Sequence, residues 1–247
     1  MPHYRRNVNP QLTWQPSLLG AGPVEPDRSF GTLRRIQLDE RSWVDYAPGW
    51  LAGADELFDE LLRIGSWQQR QVWMYERKVR EPRLTAGWHG SNTAVRSWSR
   101  EDVARALREV DGETVGDLLP GGDAGTGVDA LPPPLREIAT VLTERYGVDF
   151  DSVWVNLYRD GEDSVAWHGD RNAKVLTNPL VVTVSLGGRR RFLMRAKGTT
   201  RATTTLEPGQ GDLVVMGGAC QHEWEHTVPK TRRPVGPRMS VTIRHSR

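Results

Sequence analysis

Between residues 153 and 158 the order Val153-Trp154-Val155-Asn156-Leu157-Tyr158 alternates as a half-buried strand does, and Arg159-Asp160-Gly161-Glu162-Asp163 reads as the polar turn that follows. Ser164-Val165-Ala166-Trp167 returns directly into His168, so the pattern predicts a hairpin, with Trp167 in the core by alternation. Earlier in the chain the period changes. Leu57, Phe58, Leu61 and Leu62 share one face of a helix expected over residues 53–64, with Asp55 and Glu56 at its start and Gly65 stopping it. A strand is expected over residues 71–75 and a short helix over 101–110. A Gly/Pro-rich connection over 111–134 ends in three prolines that launch a helix over 135–146, closed by Gly147. After it come only strand and turn signals. Helices first and strands afterwards, with no internal repeat, predict an α+β, mainly β chain: a double-stranded β-helix (jelly-roll) core over about residues 150–246, buttressed by N-terminal helices. Residues 1–32 lack periodicity and are expected to form an irregular extension, leaving 33–247 as one domain.

The hairpin delivers chemistry. His168-Gly169-Asp170 sets an imidazole and a carboxylate two residues apart, and His222 and His226 lie far enough downstream to supply a third donor. Two imidazoles and one carboxylate on one face of a metal leave the opposite face open, which is the donor set of non-haem Fe(II) oxygenases. Spacing alone leaves His222 and His226 as alternatives, and a lone His-x-Asp is common by chance. Arg238 and Arg244 are six residues apart on the last expected strand and therefore point to one side; their guanidiniums suit an anionic co-substrate. Asn156 and Tyr158 likewise share one face of their strand.

The stretch NLYRDGEDSVAWHGD over residues 156–170 resembles the AlkB family of Fe(II)/2-oxoglutarate dioxygenases. The resemblance continues through VVTVSLG (181–187), RFLMR (191–195), GDLVVMG (211–217), WEHTVPK (224–230) and the segment from Pro237-Arg238 to Arg244, with PRLTA (82–86) resembling the start of the family's substrate loop. Its Trp-x-His-x-x-Pro pattern falls on Trp224, His226 and Pro229. The resemblance therefore implies His168, Asp170 and His226 as metal ligands, with His222 beside the iron or capping a loop. It further implies that Asn156, Tyr158, Arg238 and Arg244 bind 2-oxoglutarate, Arg238 at the distal carboxylate and Arg244 at the chelating end. Two positions depart from the family: Asn172 stands where an acidic residue usually follows the Asp ligand, and Ser240 where Asn usually lies between the arginines.

By the same resemblance, Fe(II), 2-oxoglutarate and O2 would hydroxylate an N-alkyl group on a base in DNA or RNA, releasing it as an aldehyde. A substrate lid is expected over about residues 70–100. There Trp88 and Trp98 sit in a polar segment suited to stacking on an extruded base, and Arg77 and Arg83 belong to one of three basic clusters suited to a phosphate backbone; Asn172 is placed at the base-binding mouth. The other two clusters are residues 189–197 and 230–233. A net charge of only +2 means that such binding would rest on where the charges lie. A single cysteine, Cys220, cannot form an internal disulfide and fits a reducing cytoplasm. Without an apolar run of spanning length, no membrane partner is expected, and the chain is read as a monomer. Two other functions keep the same core: an oxygenase acting on a protein or small molecule, which the absence of the acidic residue at Asn172 leaves open, and a nucleic-acid-binding module without turnover, against which the intact ligand set argues.

Overall fold

In a computed structural model, which describes residues 22–74, 77–89, 131–170 and 176–245, strand Val181–Gly187 is buried along its whole length. A strand buried on both sides needs two layers to cover it, and the rest of the chain supplies them.

The first strands, β1 (Glu25–Pro26), β2 (Arg34–Gln37), β3 (Ser42–Ala47) and β4 (Leu51–Ala52), lead into helix α1 (Ala54–Ile64). The hairpin β5 (Gln71–Met74) and β6 (Arg77–Arg80) follows, then β7 (Leu84–His89) and helix α2 (Pro133–Tyr146). The remainder is β8 (Ser152–Tyr158), β9 (Val165–His168), β10 (Val181–Gly187), β11 (Phe192–Ala196), β12 (Thr204–Leu206), β13 (Leu213–Gly218), a single turn α3 (Cys220–Glu223), β14 (Trp224–Val228) and β15 (Arg238–Arg244).

The last eight strands form two antiparallel sheets, β13-β10-β15-β8 and β12-β11-β14-β9, and the chain crosses repeatedly from one to the other. This is the double-stranded β-helix expected from the sequence. Two N-terminal strands, β2 and β3, extend the first sheet beyond β13, and β7 extends it beyond β8, so that it reaches seven strands.

Strand alternation divides the core in two. One side of the large sheet presents Val153, Val155 and Leu157, Val182, Val184 and Leu186, and Met239, Val241 and Ile243 to Leu57, Phe58 and Leu61 of α1 and Leu135, Ile138 and Leu142 of α2. Each fully buried aliphatic contributes roughly 1.5–3 kcal/mol, so this layer is the main apolar anchor of the fold. The opposite side meets the small sheet, where Tyr158, Val181, Val214 and Met216 pack with Phe192, Met194, Leu206, Trp224 and Val228. At one end this inner space turns polar, with Thr183, Ser185, Arg238, Ser240 and Thr242 buried there.

The sequence-predicted helices appear as α1 and α2, α2 beginning at Pro133 and closing on Gly147 in the left-handed conformation. The helix expected over 101–110 lies outside the described residues, as do residues 1–21. Within 22–32 the chain is ordered by β1 and by a turn in which Asp27 accepts the Ser29 and Gly31 amides. Residues 84–89, expected as part of a polar loop, are instead a strand whose Leu84, Ala86 and Trp88 join the helix-side core. At the far end of β10, Gly187 has φ 84, and a Cβ there would lie 2.5 Å from the Pro237 carbonyl. Only glycine lets β10 pass so close to the residue that introduces Arg238.

Candidate functional site: two arginines, two imidazoles and a carboxylate

β8 and β15 pair in register, setting Tyr158 opposite Arg238, Asn156 opposite Ser240 and Ser152 opposite Arg244. Opposed residues of antiparallel strands face the same way, so the four residues expected to hold an anionic co-substrate share the inner face. Arg238 is 1% exposed. Its Nη2 donates to Ser185 Oγ at 2.8 Å, its guanidinium lies 5.4 Å from the Tyr158 ring centre, and its Nε and Nη1 are buried without a hydrogen-bond partner. Burial lowers its pKa to about 10, which still leaves it cationic at neutral pH. A buried cation with unmet donors costs several kcal/mol in the absence of a counter-charge. An anion with two acceptor atoms is the chemistry that would offset it.

At the other end of the strand, Arg244 Nη2 donates to Asp170 Oδ1 at 2.6 Å, while its Nε has no partner. Asp170 lies beside both imidazoles. Burial opposes its ionisation, but the charge of Arg244, followed by His226 and His168, outweighs burial and holds it at about 2. Burial, reinforced by the neighbouring His168, pushes His226 down to about 3, so its ring is neutral. The two rings lie 4.2 Å apart between centres, and Phe192 stacks on His226 at 5.1 Å. His168 Nδ1–H donates to the Ala166 carbonyl at 2.9 Å, which directs Nε2 away from the strand. A neutral imidazole and an ionised carboxylate are the forms that ligate a metal. Among the described residues no three such donors close on one point, and Asp170 is paired with Arg244.

A bulge aims His168. His226 pairs with His168, yet Val228 pairs with Val165, so β9 has one residue more than its partner over this stretch. Val165 and His168 therefore both face inward although they are three apart, and Trp167 faces outward. The expectation that alternation buries Trp167 is thus corrected: it is half-buried outside the core, under the Arg195 guanidinium at 4.2 Å.

Sequence reasoning missed Gln221. From the single turn α3, its Oε1 accepts the Asp170 backbone N–H at 2.9 Å, fixing the segment that presents the carboxylate. Gly169 allows this approach, since a Cβ there would meet the Gln221 carbonyl at 3.0 Å. Four residues between a Gly-Gly pair and a strand give no periodic signal of a helix, so nothing in the pattern marked Gln221. Its neighbour His222 donates from Nε2 to the Leu176 carbonyl at 2.8 Å, a contact that matches one of the two roles expected of it, that of holding a loop. Cys220 is buried, which pushes its thiol up to about 12 and keeps it protonated.

The residues assigned to substrate do not assemble. Trp88 is only 9% exposed and packs in the helix-side core, because strand alternation places it with Ala86; it is not a stacking platform on the surface. Arg83 turns inward, pairing with Glu81 at 2.8 Å and donating to Asn156 Oδ1 at 3.2 Å, so it does not stand in a surface phosphate track. The backbone of Arg77 lies in β6, while Trp98 and Asn172 lie outside the described residues. The cluster at residues 189–197 also divides. Arg190 is buried and donates to the carbonyls of Asp160, Asp163 and Pro229, and Arg195 is paired with Glu225.

A sequence profile described as the 2OG-Fe(II) oxygenase superfamily matches residues 44–244, a span that includes both sheets and every residue of the inner face described above. The chain belongs to that superfamily. Within it the chain is similar to AlkB homologues. It is 29% identical over 216 residues to the Bos taurus alpha-ketoglutarate-dependent dioxygenase alkB homolog 3, covering 82% of this chain and 66% of that protein. It is also 29% identical over 135 residues to the Arabidopsis thaliana DNA oxidative demethylase ALKBH2, covering 45% of this chain and 43% of the relative. The chain thus spans less than two thirds of the length of these curated relatives. A solved structure of OsALKBH1 aligns with it at a TM-score of 0.48 and 13% identity, over 86% of this chain and 100% of that one.

Proposed function

We propose that this chain is an Fe(II)- and 2-oxoglutarate-dependent dioxygenase that oxidatively removes alkyl groups from nucleobases in DNA or RNA. The observation that carries the reading is Arg238, a fully buried guanidinium with two unpartnered N–H donors on the same inner face as Asn156, Tyr158 and Arg244. Arg238 and Arg244 are six residues apart on β15, and both face the same inner side of the sheet.

His168, His226 and Asp170 would hold the iron, and their chemistry fits it: two imidazoles, that of His226 neutral, and an ionised carboxylate. With 2-oxoglutarate, bound iron supplies the oxygen activation that hydroxylates an alkyl carbon and leaves succinate and carbon dioxide. The chain's own residues do the rest. Arg238 binds the distal carboxylate through Nε and Nη1. Arg244 keeps Asp170 ionised, and its Nε is available to the chelating end. Phe192, Met194 and Trp224 line the same interior with apolar surface, excluding water from the oxidant. The relatives named for DNA demethylation support the nucleobase as the substrate class.

The test is turnover of 2-oxoglutarate on a panel of methylated single- and double-stranded DNA and RNA oligonucleotides, following succinate and formaldehyde together. Equal amounts of both on at least one oligonucleotide are expected. Decay of 2-oxoglutarate with no formaldehyde on any of them would move the substrate to a protein or small molecule.

A further inference from the structure

Three elements meet at Arg83. Its guanidinium donates from Nε to Asn156 Oδ1 on β8 at 3.2 Å, from Nη2 to Glu81 Oε1 at 2.8 Å, and from Nη1 towards the Ser164 carbonyl, at the start of β9, at 3.5 Å. The side chain is only 15% exposed and Glu81 only 8%, so the pair is shielded from solvent. Backbone bonds lock the same segment: Ser164 N–H donates to the Pro82 carbonyl at 2.8 Å, and Glu81 N–H to the Arg70 carbonyl at 2.9 Å. The guanidinium thus joins the foot of the β5–β6 hairpin to the strand that carries Asn156 and the strand that carries His168.

A side-chain amide has one acceptor end and one donor end, and nothing in its shape decides which way round it sits. A guanidinium has donors only, so its Nε–H accepts just one orientation: Oδ1 towards Arg83. The donor end, Nδ2, is then the end turned away. A carboxylate or keto oxygen needs a donor, and a flipped amide would meet it with a second acceptor.

On the reading of the cleft as a 2-oxoglutarate site, we infer that Arg83 is a positioning residue for that co-substrate, setting the polarity of the Asn156 amide, with Glu81 holding the guanidinium in place. Arg83 does not touch the co-substrate; it acts through Asn156.

Manganese-loaded protein, which binds co-substrate without turnover, would be titrated with 2-oxoglutarate by calorimetry for wild type, Arg83→Met, Asn156→Ala and the double variant. Each single variant is expected to weaken binding by about tenfold, and the double variant to be no weaker than the worse single within about twofold, because the two act as one unit. Effects that multiply in the double variant would overturn the inference, as would an Arg83→Met affinity within about twofold of wild type. If Arg83→Met does not fold, Arg83→Lys retains a cation beside Glu81 but lacks the fork that serves Glu81 and Asn156 together, and a loss of about threefold or more is expected. An unchanged Arg83→Lys affinity would count against the inference. Wild-type protein that takes up no 2-oxoglutarate would instead overturn the functional reading itself, and the positioning role with it.

Discussion

Arg238 sets stability against binding. Its charge is buried beside two neutral side chains, Ser185 and Tyr158, so replacing it with an apolar side chain of similar volume relieves a desolvation cost. Arg238→Met should therefore raise the unfolding free energy of the metal-free protein by about 1–4 kcal/mol in urea denaturation. The same variant should weaken 2-oxoglutarate at least tenfold in calorimetry, the scale expected for one partner of a buried charged pair. A variant that lost both stability and affinity would mean that Arg238 serves the fold. His226 makes a second prediction. Its folded pKa of about 3 lies below the ordinary 6.5, so between those values the unfolded chain holds a proton that the folded chain does not. Stability must then fall as pH falls through that window, by at most about 1.4 kcal/mol per pH unit. Metal-free wild type should lose more stability between pH 7 and pH 5 than His226→Leu does, by up to about 2 kcal/mol. Parallel losses would show that His226 titrates normally. Asp170, held at about 2, titrates below this range and does not confuse the comparison.

Elements decide where those residues point, and here the sequence was legible unevenly. The helix-facing and inner-facing halves of β8, β10 and β15 follow simple alternation, so Asn156 with Tyr158 and Arg238 with Arg244 could each be placed on one face of their strand; that the two pairs share a face comes from the pairing of β8 with β15. Alternation failed at β9, where the bulge adds a residue and reverses Trp167, and a bulge leaves no signature in the pattern of apolar positions. It failed again at Trp88. The polar Gly/Ser/Asn run that follows that residue drew the whole segment into a loop, whereas pairing with β8 makes residues 84–89 a strand. Gln221 was out of reach because its role depends on a single turn meeting Asp170 across the sheet edge. At the end of β10, Gly187 passes beside the Pro237 carbonyl at positive φ. Gly187→Ala should cost about 1–3 kcal/mol, read as a lower urea midpoint with an unchanged slope. Because Gly187 pairs with Arg238, co-substrate affinity should fall as well.

For the molecule as a whole, part of the positive charge is compensated from within. Among the described residues Arg28 pairs with Glu137 and Glu144, Arg35 with Asp45, Arg41 with Glu223, Arg159 with Asp163, Arg195 with Glu225 and Lys230 with Glu162. Cations already engaged displace few counterions from a phosphate backbone. Binding of a single-stranded oligonucleotide should therefore show a shallow salt dependence, with log K against log salt no steeper than about −3. A slope near −6 would restore the three basic clusters as a continuous track. The two-sided build of β15 has a different consequence. Arg238, Ser240, Thr242 and Arg244 look into the cleft, while Met239, Val241 and Ile243 look to the helices. One residue inserted after Arg238 would send Arg244 among the leucines of α1 and α2 and bring aliphatic side chains against Asp170 and the two imidazoles. Exchange of single letters can retune either face without the other, whereas a change of length by one interchanges them. Chains built on this plan should vary along this strand by substitution and keep their gaps for the turns.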